Sequence, residues 1–152
     1  MDLIDRNICG LLQSDGRATS AEIAKQVGLS VSAANERLKR LLTGDAIEAV
    51  QARLNPDRFS ASFCCFIFID LADEGEDAAV RTLSDCPEVQ ELHHVSGPHS
   101  YLAKVRVKDT AALQTFLKLT LKPLKAVTRT ETIVSLQAEK ETSTVTPGGG
   151  PD

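Results

Sequence analysis

Gly28-Leu29-Ser30 leaves a single residue between the stop of one helix and the start of the next, and this joint constrains the chain more than any other feature. Upstream, Thr19-Ser20-Ala21-Glu22 has the spacing of a capping box, in which two side chains satisfy the orphan N–H groups of a helix start. Ile23, Ala24 and Val27 then fall on one helical face, and Gly28 supplies a left-handed stop without a Cβ penalty. Ser30 is a good N-cap for the next helix, along which Val31, Ala34, Leu38, Leu41 and Leu42 form the expected apolar face. Alanine at 24 and 34 lets the two helices approach closely. A preceding helix over residues 2–14 carries Ile4, Ile8, Leu11 and Leu12 on one stripe, and Ser14-Asp15-Gly16 ends it. Short helices joined so tightly predict a helix-turn-helix. Beyond Gly44, residues 47–54 read as a short strand, a wing to that unit, which Asn55-Pro56 breaks.

The second half changes period. Residues 63–69, Phe-Cys-Cys-Phe-Ile-Phe-Ile, form a continuous apolar run expected of a strand buried on both faces. Ala79, Val80 and Leu83 recur at helical spacing over residues 76–85. A strand over 89–96 and a Gly97-Pro98 turn follow, and then Tyr101, Ala103, Val105 and Val107 alternate with Leu102, Lys104 and Arg106. Leu113, Phe116, Leu117, Thr120 and Leu121 mark another helix, and a last strand covers 127–137. The order β-α-β-β-α-β predicts a ferredoxin-like α+β domain after the helix-turn-helix. Two helices cover only one face of such a sheet. A central strand apolar on both faces therefore predicts a second copy of the sheet on the other side, a homodimer. The expected domains are 1–55 and 56–140, with a tail over 141–152 whose Pro147-Gly148-Gly149-Gly150-Pro151 predicts disorder.

A formal net charge of −4 argues against a nucleic-acid partner until its distribution is considered. Residues 1–58 hold eight Lys/Arg and eight Asp/Glu, and residues 59–152 hold nine against thirteen. The acidity lies in the second half, which leaves the first free to present a basic face. No apolar run reaches the ~20 residues of a membrane span. The acidic N-terminus lacks a secretory pattern, so a cytoplasmic location is expected. Cys9, Cys64, Cys65 and Cys86 form no C-x-x-C pair and predict buried free thiols.

Over about residues 1–140 the chain resembles the Lrp/AsnC family of feast/famine regulators. The resemblance rests on Asp2-Leu3-Ile4-Asp5-Arg6-Asn7-Ile8, Leu29-Ser30-Val31-Ser32, Glu36-Arg37-Leu38-Lys39-Arg40-Leu41 and Leu54-Asn55-Pro56. It continues through Val95-Ser96-Gly97, Tyr101-Leu102 and Thr130-Glu131-Thr132-Ile133. It implies an amino-acid-responsive DNA-binding transcription regulator, dimeric through its second domain and commonly assembled into octamers.

A recognition helix presents its N-terminal exposed residues to base edges. With the apolar stripe inward, Ser30 caps that helix while Ser32, Ala33, Asn35 and Glu36 point outward. Ser and Asn exchange hydrogen bonds with bases, Ala33 fits a thymine methyl, and Glu36 accepts from cytosine N4. Arg37, Lys39 and Arg40 suit phosphates, with Arg17 and Lys25 as further backbone contacts. For the effector, the resemblance implies a site around the turn between the second and third strands, joined by last-strand residues of a neighbouring subunit. The matching positions are Ser96, Gly97, Pro98, His99, Ser100, Tyr101 and Leu102, with Thr130, Thr132 and Ser135. Many members carry acids where this chain has Pro98 and Ser100. Their absence leaves a ligand ammonium to hydroxyls and carbonyls, which predicts weak binding or an unusual effector.

His93 and His94 point to opposite strand faces and do not share a metal ion, so neither metal nor cofactor is expected. One enzyme reading competes. Sirohaem decarboxylases resemble the same two-domain architecture, and His94, His99 and Arg106 could take the cleft roles. The intact cap and basic outer face of the third helix favour the regulator.

Overall fold

The computed structural model describes residues 1–146, which divide into two compact units. One comprises Met1–Arg53 with residues 140–146, the other Leu54–Glu139. Of the expected disordered tail, residues 147–152 lie outside the described residues. Residues 141–146 form no helix or strand, but Val145 is clamped by Gln13, whose side-chain amide exchanges two 2.8 Å hydrogen bonds with the Val145 backbone.

The helical unit contains α1 (Leu3–Ser14), α2 (Ser20–Val27) and α3 (Val31–Thr43). Each starts on the residue its local sequence dictates: Asp2, Thr19 and Ser30 accept from the backbone N–H three residues on. The Thr19–Glu22 capping box is closed in both directions, and Gly28 ends α2 at φ +71°, where a Cβ would be strained. Ile8, Ile23, Ala24, Ala34 and Leu41 form the core, with Ile4, Leu12, Val27, Leu38 and Ile47 packed around it. Two expectations fail here. Val31 is 53% exposed and Leu42 is exposed as well, because the buried stripe of α3 narrows to Ala34, Leu38 and Leu41 at i, i+4 and i+7. Residues 47–54 form no strand, and the unit has no wing among its described residues. An extended segment becomes a strand only when a neighbour takes its backbone hydrogen bonds, and no strand of this unit does so.

The second unit begins with a 3₁₀ turn (Pro56–Phe59) and holds β1 (Phe63–Leu71), α4 (Glu76–Ser84), β2 (Val89–His94), β3 (Tyr101–Val107), α5 (Thr110–Phe116) and β4 (Val127–Val134). A π turn over Leu117–Leu121 extends α5. The sheet order β2-β3-β1-β4, antiparallel throughout, is the ferredoxin-like arrangement. The strands stop two or three residues short of their expected ends, at His94 and Val134.

Registers assign the two sheet faces. Cys65, Ile67 and Ile69 on β1 stand beside Val105, Ala103 and Tyr101 on β3, and with Leu83, Leu113, Phe116 and Leu121 they form the helix-covered core. Burial pushes the Cys65 thiol up to about 11. On the other face Phe68 pairs with Leu102, and Phe66 with Ile133. That face is only half-buried within one chain: Cys64, Phe66 and Phe68 are intermediate and Ile133 is exposed.

Candidate nucleic-acid interface and effector loop

The turn between α2 and α3 is fixed by short-range bonds. The Gly28 N–H caps α2 on the Ala24 carbonyl, the Leu29 N–H reaches the same oxygen at 3.0 Å, and the Ser30 hydroxyl accepts from Ala33. The Ser20 hydroxyl then donates to Asn35 Oδ1 at 3.1 Å and ties the start of α2 to the first turns of α3. From this rigid joint Ser30, Val31, Ser32, Asn35, Glu36 and Lys39 are exposed, and Ala33 is half-buried. Arg17 and Lys25 are exposed as well.

Arg37 and Arg40 are differently placed. Arg37 Nη1 donates to Asp2 Oδ2 at 2.6 Å and to Asp5 Oδ1 at 2.8 Å. Arg40 Nη2 spans both oxygens of Asp5, at 3.1 and 3.0 Å. The bonds to Asp2 and then Asp5 raise the Arg37 guanidinium above its ordinary value. The Asp5 N–H, followed by Arg37, holds the Asp2 carboxyl below the usual carboxylate range. Both arginines expected on phosphate therefore already face carboxylates of α1.

In the second unit the β2–β3 loop is pinned by a bond from the Val95 N–H to the Ser100 carbonyl at 2.9 Å, with Gly97 at φ +139°. Ser96, Gly97 and Pro98 are exposed. His99 turns back onto the sheet, its ring stacked on Phe68 with centroids 4.9 Å apart. Its Nδ1 lies 3.2 Å from each Asp70 oxygen, and its Nε2 lies 3.8 Å from Glu131. Asp70 also accepts from the Ser100 N–H at 3.1 Å, and Glu131 lies 3.6 Å from Arg129. Burial pushes the Asp70 carboxyl up, but the His99 and Ser100 bonds and the charges of His99 and Arg129 outweigh it and hold it below its ordinary value.

The expected effector residues do not all converge. Leu102 shares the open face with Phe68. Tyr101 points the other way: it is 8% exposed, belongs to the helix-covered core and donates to Glu76 Oε1 at 2.7 Å. That bond, followed by burial, pushes its phenol up to about 12. Thr130 and Thr132 sit opposite Ile69 and Ile67, on the helix-covered side of edge strand β4, and Ser135 lies just beyond that strand. Two clefts of the sheet unit, of about 600 and 620 Å³, are lined by none of these residues. Sequence reasoning missed Asp70 and Glu131. The signal for Asp70 was its place at the end of the alternating series Cys64, Phe66, Phe68, which puts it on the open face.

The enzyme arrangement does not assemble. His94 stacks on Tyr101 at the helix-covered side, His99 lies on Phe68 at the open side, and Arg106 donates to the Ala61 carbonyl near the far end of β3. Among the described residues no helix is long and apolar enough to cross a membrane.

Residues 1–42 match the AsnC-type helix-turn-helix domain and residues 64–145 the Lrp/AsnC ligand binding domain. The leucine-responsive regulatory protein of Salmonella typhimurium is 40% identical over 149 residues, covering 94% of this chain and 89% of that protein. A feast or famine regulatory protein of M. tuberculosis, solved with L-methionine, is 33% identical with a TM-score of 0.87, covering 96% of this chain and 99% of that one. A transcriptional regulator from Neisseria meningitidis in complex with L-Met has a TM-score of 0.90 at 26% identity, covering 95% of this chain and 96% of that one. The two domain matches in sequence order, the capped helix pair and the ferredoxin-like sheet have one owner: this chain belongs to the Lrp/AsnC family and is a DNA-binding transcriptional regulator of that type.

Proposed function

We propose that the chain reads a DNA major groove with the N-terminal half of α3 and adjusts that binding to an amino acid held on the open sheet face near His99. The observation that carries the first half is the joint itself. Its caps and the Ser20–Asn35 bond fix the exposed row Ser32, Asn35 and Glu36 on one rigid helix start. Because Asn35 accepts from Ser20 through Oδ1, its amide donors remain for a base acceptor. Val31 joins Ala33 as an apolar surface for a thymine methyl. Lys39, Lys25 and Arg17 supply the phosphate contacts that position the helix.

For the effector, Asp70 and Glu131 supply the carboxylates that Pro98 and Ser100 lack. Two acids, Asp70 and Glu131, lie with one permanent cation, Arg129, around the His99 ring, which leaves carboxylate charge for a ligand ammonium. The relatives solved with methionine support an amino-acid ligand. The uncovered apolar face around Phe66, Phe68, Leu102 and Ile133 supports self-association through a second sheet, and assembly of such dimers into octamers follows the family resemblance. Binding to DNA supports a cytoplasmic location.

The test is an anisotropy titration of the full chain on DNA from upstream of its own gene, at two salt concentrations, with and without a panel of amino acids. Salt-sensitive, sequence-selective binding shifted by an amino acid is the expected result. Sequence-indifferent binding sinks the readout role of α3. Selective binding that ignores every amino acid sinks the effector.

A further inference from the structure

Asp5 is the only buried charged residue among the described residues, 4% exposed. It lies on the first turn of α1, yet both its oxygens point to α3: Oδ1 accepts from Arg37 and Arg40, and Oδ2 from Arg40. Asp2 takes the remaining reach of Arg37. Two carboxylates and two guanidiniums cancel within one network. Of the basic trio on α3, only Lys39 faces no carboxylate among the described residues. Each guanidinium engages through one nitrogen, Arg37 through Nη1 and Arg40 through Nη2, and these charge-assisted bonds tie α3 to the start of α1.

We propose that Asp5 is a positioning residue for DNA binding, which holds Arg37 and Arg40 off the phosphate backbone and thereby limits sequence-independent affinity. The inference rests on the reading of α3 as the recognition helix. Arg40 is the informative partner. Its side chain is 64% exposed, so on loss of Asp5 it is free to swing to a phosphate, whereas Arg37 keeps Asp2. Asp5 thus sets how many cations the helix shows to DNA.

The experiment compares the full chain with Asp5→Asn, Arg40→Gln and the double variant on random-sequence and promoter DNA across a salt series. Asp5→Asn is expected to steepen the dependence of log affinity on log salt by about 0.9, one phosphate contact, and to tighten random-sequence binding at low salt. Arg40→Gln alone is expected to leave that slope unchanged, and the double variant to return it to the wild-type value. A purely structural role for Asp5 weakens binding without steepening the slope. Arg40→Gln leaves Asp5 in place with Arg37, so it can still overturn the inference if Asp5→Asn misfolds. A shallower slope in Arg40→Gln puts Arg40 on phosphate in the native protein and overturns the inference, as does an unchanged slope in Asp5→Asn. A wild-type chain that binds no DNA overturns the reading of α3 together with it.

Discussion

The two units use acids in opposite ways. In the helical unit, Asp2 and Asp5 neutralise Arg37 and Arg40, so α3 offers less positive charge than its composition. In the sheet unit, Asp70 and Glu131 bring negative charge to a loop that carries no acid of its own. Both effects cross long stretches of chain: Asp5 lies 32 residues from Arg37, and Asp70 lies 29 from His99. A charge in a sequence is therefore a statement about inventory, and only its partner determines whether that charge is offered to a ligand.

The largest expected effect tests the sheet side of that contrast. Asp70→Asn combined with Glu131→Gln removes both carboxylates while keeping side-chain size. Amino-acid binding measured by calorimetry is expected to weaken roughly 10–100-fold, as for lost hydrogen bonds to a charged group. DNA affinity without effector is expected to stay at the wild-type level, since neither residue belongs to the helical unit. Unchanged amino-acid binding breaks the comparison, because the acids near His99 then restore nothing.

What was legible in the chain was local. Thr19, Gly28 and Ser30 act within four residues of themselves, and each caps the helix end expected of it. The alternation from Tyr101 to Val107 was equally direct, because a strand with one face covered by helices buries every second residue. Residues 47–54 show the opposite case. Their pattern favours extension, but strand formation depends on a partner that the pattern does not name. Val31 was misassigned because helical period alone does not say where along its length a helix is covered. The site acids were harder still. Glu131 lies within Thr130-Glu131-Thr132-Ile133 and Asp70 at the end of an apolar run, and only sheet register brings them to one ring.

A smaller effect concerns acidity. The fold holds the Asp70 carboxyl below its ordinary value of 3.8, so its ionised form favours the native state. That contribution is present above the unfolded value and is lost as pH falls through the lower folded one. His99, Arg129 and the Ser100 N–H all face this carboxylate. Thermal unfolding is expected to show wild type above Asp70→Asn at about pH 6, with the gap closing below the ordinary carboxylate range. A gap that widens on acidification reverses the sign and marks Asp70 as a strained acid rather than a partnered one.

The smallest expected effect is the most discriminating about geometry. Thr130 is one of the effector positions that the family resemblance implies, but its register opposite Ile69 turns its side chain to the helix-covered side, away from His99. Thr130→Val keeps the branched shape that suits a strand and removes only the hydroxyl. If the effector sits on the open face alone, its affinity is expected to change by less than about twofold, well under the 1.4 kcal/mol that a tenfold loss represents. A tenfold loss means that the ligand reaches around the edge of β4. The carboxylates at Asp70 and Glu131 then anchor only one end of a site whose other end lies beyond the sheet, and edge strand β4, which has no neighbour on that side among the described residues, becomes the place where a second subunit completes it.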